Sequence, residues 1–269
     1  MSGLLEVLAL GTKVYDLAQP LATETPHSPN HPPFRMSLMR RHGDMVREDG
    51  SSAANELIVT GGHTGTHVDA LAHVSYQGKL RDGASAEDAQ RGGRFSSHGI
   101  DTMEPLVCRG VLLDVAALHE MDVLPGGYGI TEDDLAAAAE KAGVEVRRGD
   151  VALIRSGWSR NFSDTGAFLG HETGVPGPDD SAARWLAGKG VRATGAETIA
   201  YEQIKPEIGH RLLPVHRTLL VENGIHIIEV MNLTELAEDG VREFMFVLAP
   251  LKIVGSTGSP VRPLAVVSG

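Results

Sequence analysis

The sequence predicts a mixed, strand-rich α/β fold in a single domain over residues 1–269. Three observations carry that expectation. The chain has 269 residues, 42% of them hydrophobic and 22% charged, enough for one sizeable soluble core. Short β-type runs recur along it, and two well-bounded helices lie among them. Strand order does not follow from these patterns.

In chain order, the stretch from Pro20 to Phe34 comes first. It holds Pro20, Pro26, Pro29, Pro32 and Pro33, so it should be extended and irregular. Such a stretch suits an arm over a pocket or a partner, or a plain surface loop. Strand-like runs follow at Leu57-Ile58-Val59, Val111 to Val115 and Val151 to Ile154. Thr131 followed by Glu132, Asp133 and Asp134 reads as an N-cap with an acidic first turn, and Gly143 as the stop. A second helix should run from about Asp179 to Lys189, closed by Gly190, and a weaker one begin near His73 or Glu87. A glycine-rich loop should span Asn161 to Pro178. The last strands are expected at Ile225 to Val230, Glu243 to Val254 and Pro263 to Val267.

Charge narrows the function. The formal net charge is −11, and the basic clusters Arg40-Arg41 and Arg147-Arg148 are too short for a nucleic-acid track. No apolar run approaches the roughly 20 residues of a membrane helix. Met1 to Leu10 lacks a basic n-region and a small-residue cleavage site, so it does not read as a signal peptide. The single cysteine, Cys108, sits in an apolar run and reads as a core thiol; no intramolecular disulfide is possible. A cytoplasmic protein acting on a small molecule is the expectation.

The chemistry concentrates in Gly61-Gly62-His63-Thr64-Gly65-Thr66-His67-Val68-Asp69-Ala70-Leu71-Ala72-His73. Three histidines and an aspartate fall within eleven positions, where twelve histidines in 269 residues would place fewer than one. All four positions are odd, so an extended chain would put them on one face. On a helix, His63 would pair with His67, and Asp69 with His73, at i,i+4. A strand, a turn at Gly65 and a helix would also gather His63, His67 and Asp69. These side chains suit a nitrogen/oxygen metal site for Zn²⁺ or Mn²⁺. Such an ion lowers the pKa of bound water toward about 7 and polarises a carbonyl, which fits hydrolysis of an amide, lactam or ester. Glu229 interrupts the apolar run Ile225 to Val230, and a carboxylate there needs a partner or a cation. His226 has odd offset from Glu229 and would face away on a strand. Aromatic residues make up only 4% of the chain, so Phe34 after the proline-rich arm and Trp158 after the central strand are candidates either to stack on an aryl substrate or to pack in the core.

This motif resembles the signature His-x-Gly-Thr-His-x-Asp-x-Pro-x-His of the metal-dependent cyclase-like hydrolases, which include bacterial kynurenine formamidase and isatin hydrolase. Six of the seven fixed residues stand in register, with Leu71 in place of proline. Leu71 suits the isatin-hydrolase-like branch and bears on substrate more than on metal. Further likenesses are Asp16 to Leu21, Val151 to Trp158, Pro176 to Leu186, Gly195-Ala196-Glu197-Thr198 (the family usually has Asp for Glu197), and Val215-His216-Arg217 through Glu229.

The resemblance implies a swivelling β/β/α fold, usually as a homodimer or homotetramer whose N-terminal arm can cross the interface. It implies one or two ions per subunit. His63, His67 and Asp69 would hold the first, and Asp69 would bridge to a second held by His216 and Glu229. His73 would serve as catalytic proton shuttle or extra ligand. The implied activity is opening of a C–N bond in a small carbonyl compound, a cyclic amide such as isatin. Its alternatives are an arylformamidase acting on N-formylkynurenine, a lactone hydrolase, or a metal-binding ligand sensor without turnover. No Gly-x-Ser-x-Gly elbow, phosphate loop, dinucleotide fingerprint or His-Glu-x-x-His occurs to support another chemistry.

Overall fold

The structure, a computed structural model, describes residues 11–206 and 208–269. The reading of Met1 to Leu10 therefore lies outside the described residues. The strands are β1 (Thr12–Asp16), β2 (Arg35–Arg40), β3 (Asn55–Val59), β4 (His67–Asp69), β5 (Leu106–Asp114), β6 (Gly129–Ile130), β7 (Val151–Arg155), β8 (Gly177–Pro178), β9 (Ala193–Ala196), β10 (His226–Glu229), β11 (Glu243–Leu248), β12 (Gly258–Pro260) and β13 (Leu264–Ser268). Nine of them form one mixed sheet in the order β1-β13-β11-β5-β7-β9-β10-β4-β12. Its centre, β5-β7-β9-β10, is parallel, and the flanking pairs are antiparallel.

The parallel centre explains the continuous apolar runs. All five residues of β7 are buried, because helices cover one face and chain covers the other. Val111, Leu113, Ala152 and Ile154 face the core shared with the helices Glu132–Ala142 and Asp180–Lys189, while Leu112 and Leu153 face the opposite core with Tyr15, Leu17 and Phe246. Each such Leu or Ile contributes about 2 kcal/mol by leaving water. Both helices end as expected. Thr131 and Asp134 form a capping box, Asp179 caps the second helix, and Gly143 and Gly190 close them in the left-handed conformation.

Some expectations change. The strand expected over Glu243 to Val254 stops at Leu248. Pro250 follows and has no N–H for the ladder. The weak third helix is the short Ala86–Ala89, not a helix at His73. Asn161 to Pro178 is not one loop: it holds a helix, Thr165–Leu169, and β8. Cys108, expected in the core, is only partly buried on β5. An additional helical segment appears at Pro214–His216, widening into a π-type turn over Arg217–Asn223. Finally, β2 and β3 form a separate ribbon in which every residue is exposed.

Candidate metal centre

The site lies where the parallel strands end, the place at which α/β sheets usually bind ligands. The chain leaves β3 and makes a turn in which Gly65 has φ +66°, with Leu21 packed where a Cβ would stand. That turn delivers His63. It is followed by β4 rather than a helix, so His67 and Asp69 share a strand face at i,i+2 and the helical pairing does not occur. Register then assembles the rest. β4 pairs with β10 so that His67 lies opposite Glu229, and with β12 so that Asp69 lies opposite Gly258. A Cβ on Gly258 would stand 2.5 Å from His63 Cε1, so glycine is what leaves room for that ring. The helical turn at Pro214–His216 brings His216 from the far side.

The side chains converge tightly. His63 Nδ1 is 2.8 Å from Asp69 Oδ1, and its Nε2 is 2.9 Å from Thr257 Oγ1. His67 Nδ1–H donates to the Gly65 carbonyl, 2.8 Å away, which turns Nε2 toward Asp69 Oδ1 at 3.6 Å and Glu229 Oε2 at 3.4 Å. His216 Nε2 lies 3.6 Å from Asp69 Oδ2 and 3.2 Å from Glu229 Oε1. His73 stacks on His63 with ring centroids 3.9 Å apart. His226 bonds the backbone carbonyl of Asp69 at 2.8 Å and takes no part in the cluster, as its offset on the strand requires.

The donor set fits a divalent cation. Asp69 is fully buried, yet its Oδ2 has no hydrogen-bond partner. A buried carboxylate oxygen without a partner is costly unless a cation faces it. His63, His67 and Asp69 offer ligand atoms within 4.8 Å of one another, and so do Asp69, His73 and His216. Electrostatics agree. Burial alone would raise the Asp69 carboxyl, but the imidazoles of His216 and His63 outweigh it and hold it well below the ordinary range. Glu229 is likewise held down against burial by His216 and His67. Burial, with help from His63 and His216, lowers His73 to about 3, so that ring is uncharged near neutral pH.

The cluster floors a cavity of about 290 Å³. Its walls are Val74, Ile199, Ala200 and Leu213, and the proline-rich arm supplies Ser28, Asn30 and His31. The arm thus covers the pocket. His31 and His210, both lining residues, were not singled out by the sequence; His31 stands 5.1 Å from the His63 ring, and its only local signal was membership of that arm. Thr257 and Glu202 also carried no local signal. Two expected contacts are elsewhere. Trp158 is buried behind Ile199 and Ala200, its indole N–H donating to the Phe168 carbonyl at 2.9 Å, and Phe34 is buried without lining the cavity. Neither ring lines the cavity, and both are enclosed by protein.

Fold and site define the class: an α/β protein in which imidazoles and carboxylates from four chain segments converge as in a divalent-metal centre. The chain belongs to the Cyclase family, whose pattern matches residues 15–203. It is similar to the isatin hydrolase of Roseibium aggregatum, 28% identical over 275 residues that cover 99% of this chain and 97% of that one. Among solved structures it resembles a novel cyclase, with a TM-score of 0.86 at 28% identity over 97% of this chain and 91% of that one. It also resembles isatin hydrolase A from Ralstonia solanacearum, with a TM-score of 0.75 at 27% identity over 99% and 98% of the two chains.

Proposed function

We propose that this protein is a metal-dependent hydrolase that opens the C–N bond of a small neutral cyclic amide, with isatin as the first substrate to test. The unpartnered, fully buried Oδ2 of Asp69 beneath a substrate-sized cavity is the observation that carries the reading. The isatin hydrolases among its relatives support the substrate class. So does the lining: its described residues include no Lys or Arg, which suits an uncharged lactam. N-formylkynurenine carries an ammonium and a carboxylate and would need charged partners there.

His63, His67 and Asp69 would hold one Mn²⁺ or Zn²⁺, and Asp69, His216 and Glu229 a second. The cation supplies Lewis acidity, making water acidic and stabilising charge on the carbonyl oxygen. The protein does the rest. Val74, Ile199, Ala200 and Leu213 hold the apolar body of the substrate and exclude bulk water. Ser28 and Asn30 offer hydrogen bonds at the mouth. His73, neutral and at the cavity floor, takes the proton of the attacking water and returns it to the leaving nitrogen. Trp158 and Phe34 stiffen the structure around the site. We assign the chain to a homodimer or homotetramer, supported by the exposed apolar ribbon β2–β3, and to the cytoplasm.

The test is an absorbance assay with isatin, N-formylkynurenine and an aryl lactone, on protein loaded with Mn²⁺ or Zn²⁺ and on protein treated with EDTA. Isatin opening by loaded protein, lost on chelation, is expected. Faster formamide or lactone cleavage would move the substrate class. Tight metal binding with no turnover on any of the three would favour a ligand sensor.

A further inference from the structure

We propose that Glu202 is a positioning residue for the metal centre: its buried carboxylate holds His216 with Nδ1 protonated, so that Nε2 is the atom presented to Asp69 and Glu229. The inference rests on the metal-dependent reading above and deepens it.

The geometry is specific. His216 Nδ1 donates to Glu202 Oε1 at 2.6 Å, the shortest contact that this ring makes. The same oxygen accepts the His216 backbone N–H at 2.9 Å, and Oε2 accepts that of Val215 at 3.2 Å. Glu202 is 1% exposed. An imidazole has two nitrogens that can ligate. A carboxylate on one of them fixes the tautomer and ring orientation, and makes the other more basic toward a cation. Here the ring cannot turn over without breaking the 2.6 Å bond and leaving a buried carboxylate oxygen short of a partner.

Backbone strain surrounds this arrangement. Tyr201, just before Glu202, has φ +55°, and Val230, just after Glu229, has φ +56°. Both lie in the left-handed region, where a bulky or β-branched residue is a rare outlier. Such strain persists only where surrounding structure over-determines it. The surroundings are present: the Tyr201 hydroxyl meets Thr194 Oγ1 at 2.8 Å, the Val230 N–H donates to the Thr198 carbonyl at 3.1 Å, and Thr66 Oγ1 donates to the Val230 carbonyl at 2.5 Å. The two strained residues thus flank the two carboxylates that bracket His216, one on each ring nitrogen.

Because Glu202 also caps the backbone at Val215 and His216, a purely structural role must be told apart. Mn²⁺ affinity is measured by calorimetry on the full chain for wild type, Glu202→Gln, His216→Ala and the double variant. Glu202→Gln should weaken binding about 10- to 100-fold in the wild-type background. In the His216→Ala background it should change affinity by no more than about twofold. Equal losses in both backgrounds, or none in either, would overturn the assignment. A second measurement needs no variant. In wild-type protein with ¹⁵N-labelled histidine, Zn²⁺ should shift His216 Nε2 while Nδ1 keeps its proton; zinc on Nδ1 overturns the assignment. Failure of wild type to bind Mn²⁺ or Zn²⁺ at all would remove the metal-dependent reading, and this inference with it.

Discussion

At His67 two requirements meet in one ring. Its Nδ1 is taken by the Gly65 carbonyl at 2.8 Å, so only Nε2 can serve the cluster, and that atom faces both Asp69 and Glu229. Removing the ring leaves two buried carboxylates facing each other without their cationic or ligating neighbour. His67→Ala should therefore lose metal and isatin opening together, with metal affinity down by at least about 100-fold. Metal analysis of the purified variant beside its activity checks this, and a variant that kept both would exclude His67 as a ligand. Gly258 makes a finer test. No positive φ demands glycine there; the demand is the 2.5 Å approach of a Cβ to His63 Cε1. Gly258→Ala should push His63 aside and weaken Mn²⁺ binding about 10-fold or more. An unchanged titration would show that the ring relaxes without consequence.

Among the elements, the helix Glu132–Ala142 shows how local chemistry sets an end. Asp134 Oδ2 accepts the Thr131 N–H at 2.9 Å and the Thr131 hydroxyl at 3.0 Å, and Oδ1 lies 2.7 Å from His119 Nε2. Burial alone would raise the Asp134 carboxyl, but these bonds outweigh it and hold it below the ordinary value. A depressed folded pKa contributes stability above the unfolded value, near 3.9, and loses it as pH falls through the folded one. Asp134→Ala should cost about 1 kcal/mol at pH 7. Urea titrations at pH 7 and at pH 3 should show the gap between wild type and variant shrinking in acid. A gap independent of pH would mean that the ionised cap is not what stabilises this end.

For the whole molecule, the ribbon β2–β3 is the unbalanced part. Met36, Leu38, Leu57, Ile58 and Val59 are each between 44% and 55% exposed. A lone two-stranded ribbon is marginal in water, and an apolar one invites a partner. It also joins the arm that covers the cavity to the turn that carries His63, so its seating bears on the site. In a homo-oligomer this surface would be covered. The paired substitutions Met36→Glu and Ile58→Glu, directly opposite each other in register, should shift the protein to a smaller species in sedimentation. Unaltered sedimentation would exclude the ribbon as a subunit interface.

Much of this was written in local sequence. The caps at Thr131 and Asp179 and the stops at Gly143 and Gly190 depend on neighbours within one turn. The apolar runs of β5, β7 and β10 depend on burial of the strands themselves. The His63-to-His73 cluster was legible because four ligand-type side chains stand within eleven positions. Tertiary structure alone decided whether that segment is helix or strand, which partner faces it, and what fixes each ring. His67 meets Glu229 through the pairing of β4 with β10, across 162 positions of sequence that no periodicity spans. Glu202 beneath His216, Thr257 on His63 and His31 over the cavity follow the same rule. A side chain's type and spacing encode the chemistry it can perform, but which groups share a buried volume is set by strand order and register, and those are settled by the packing of the entire chain.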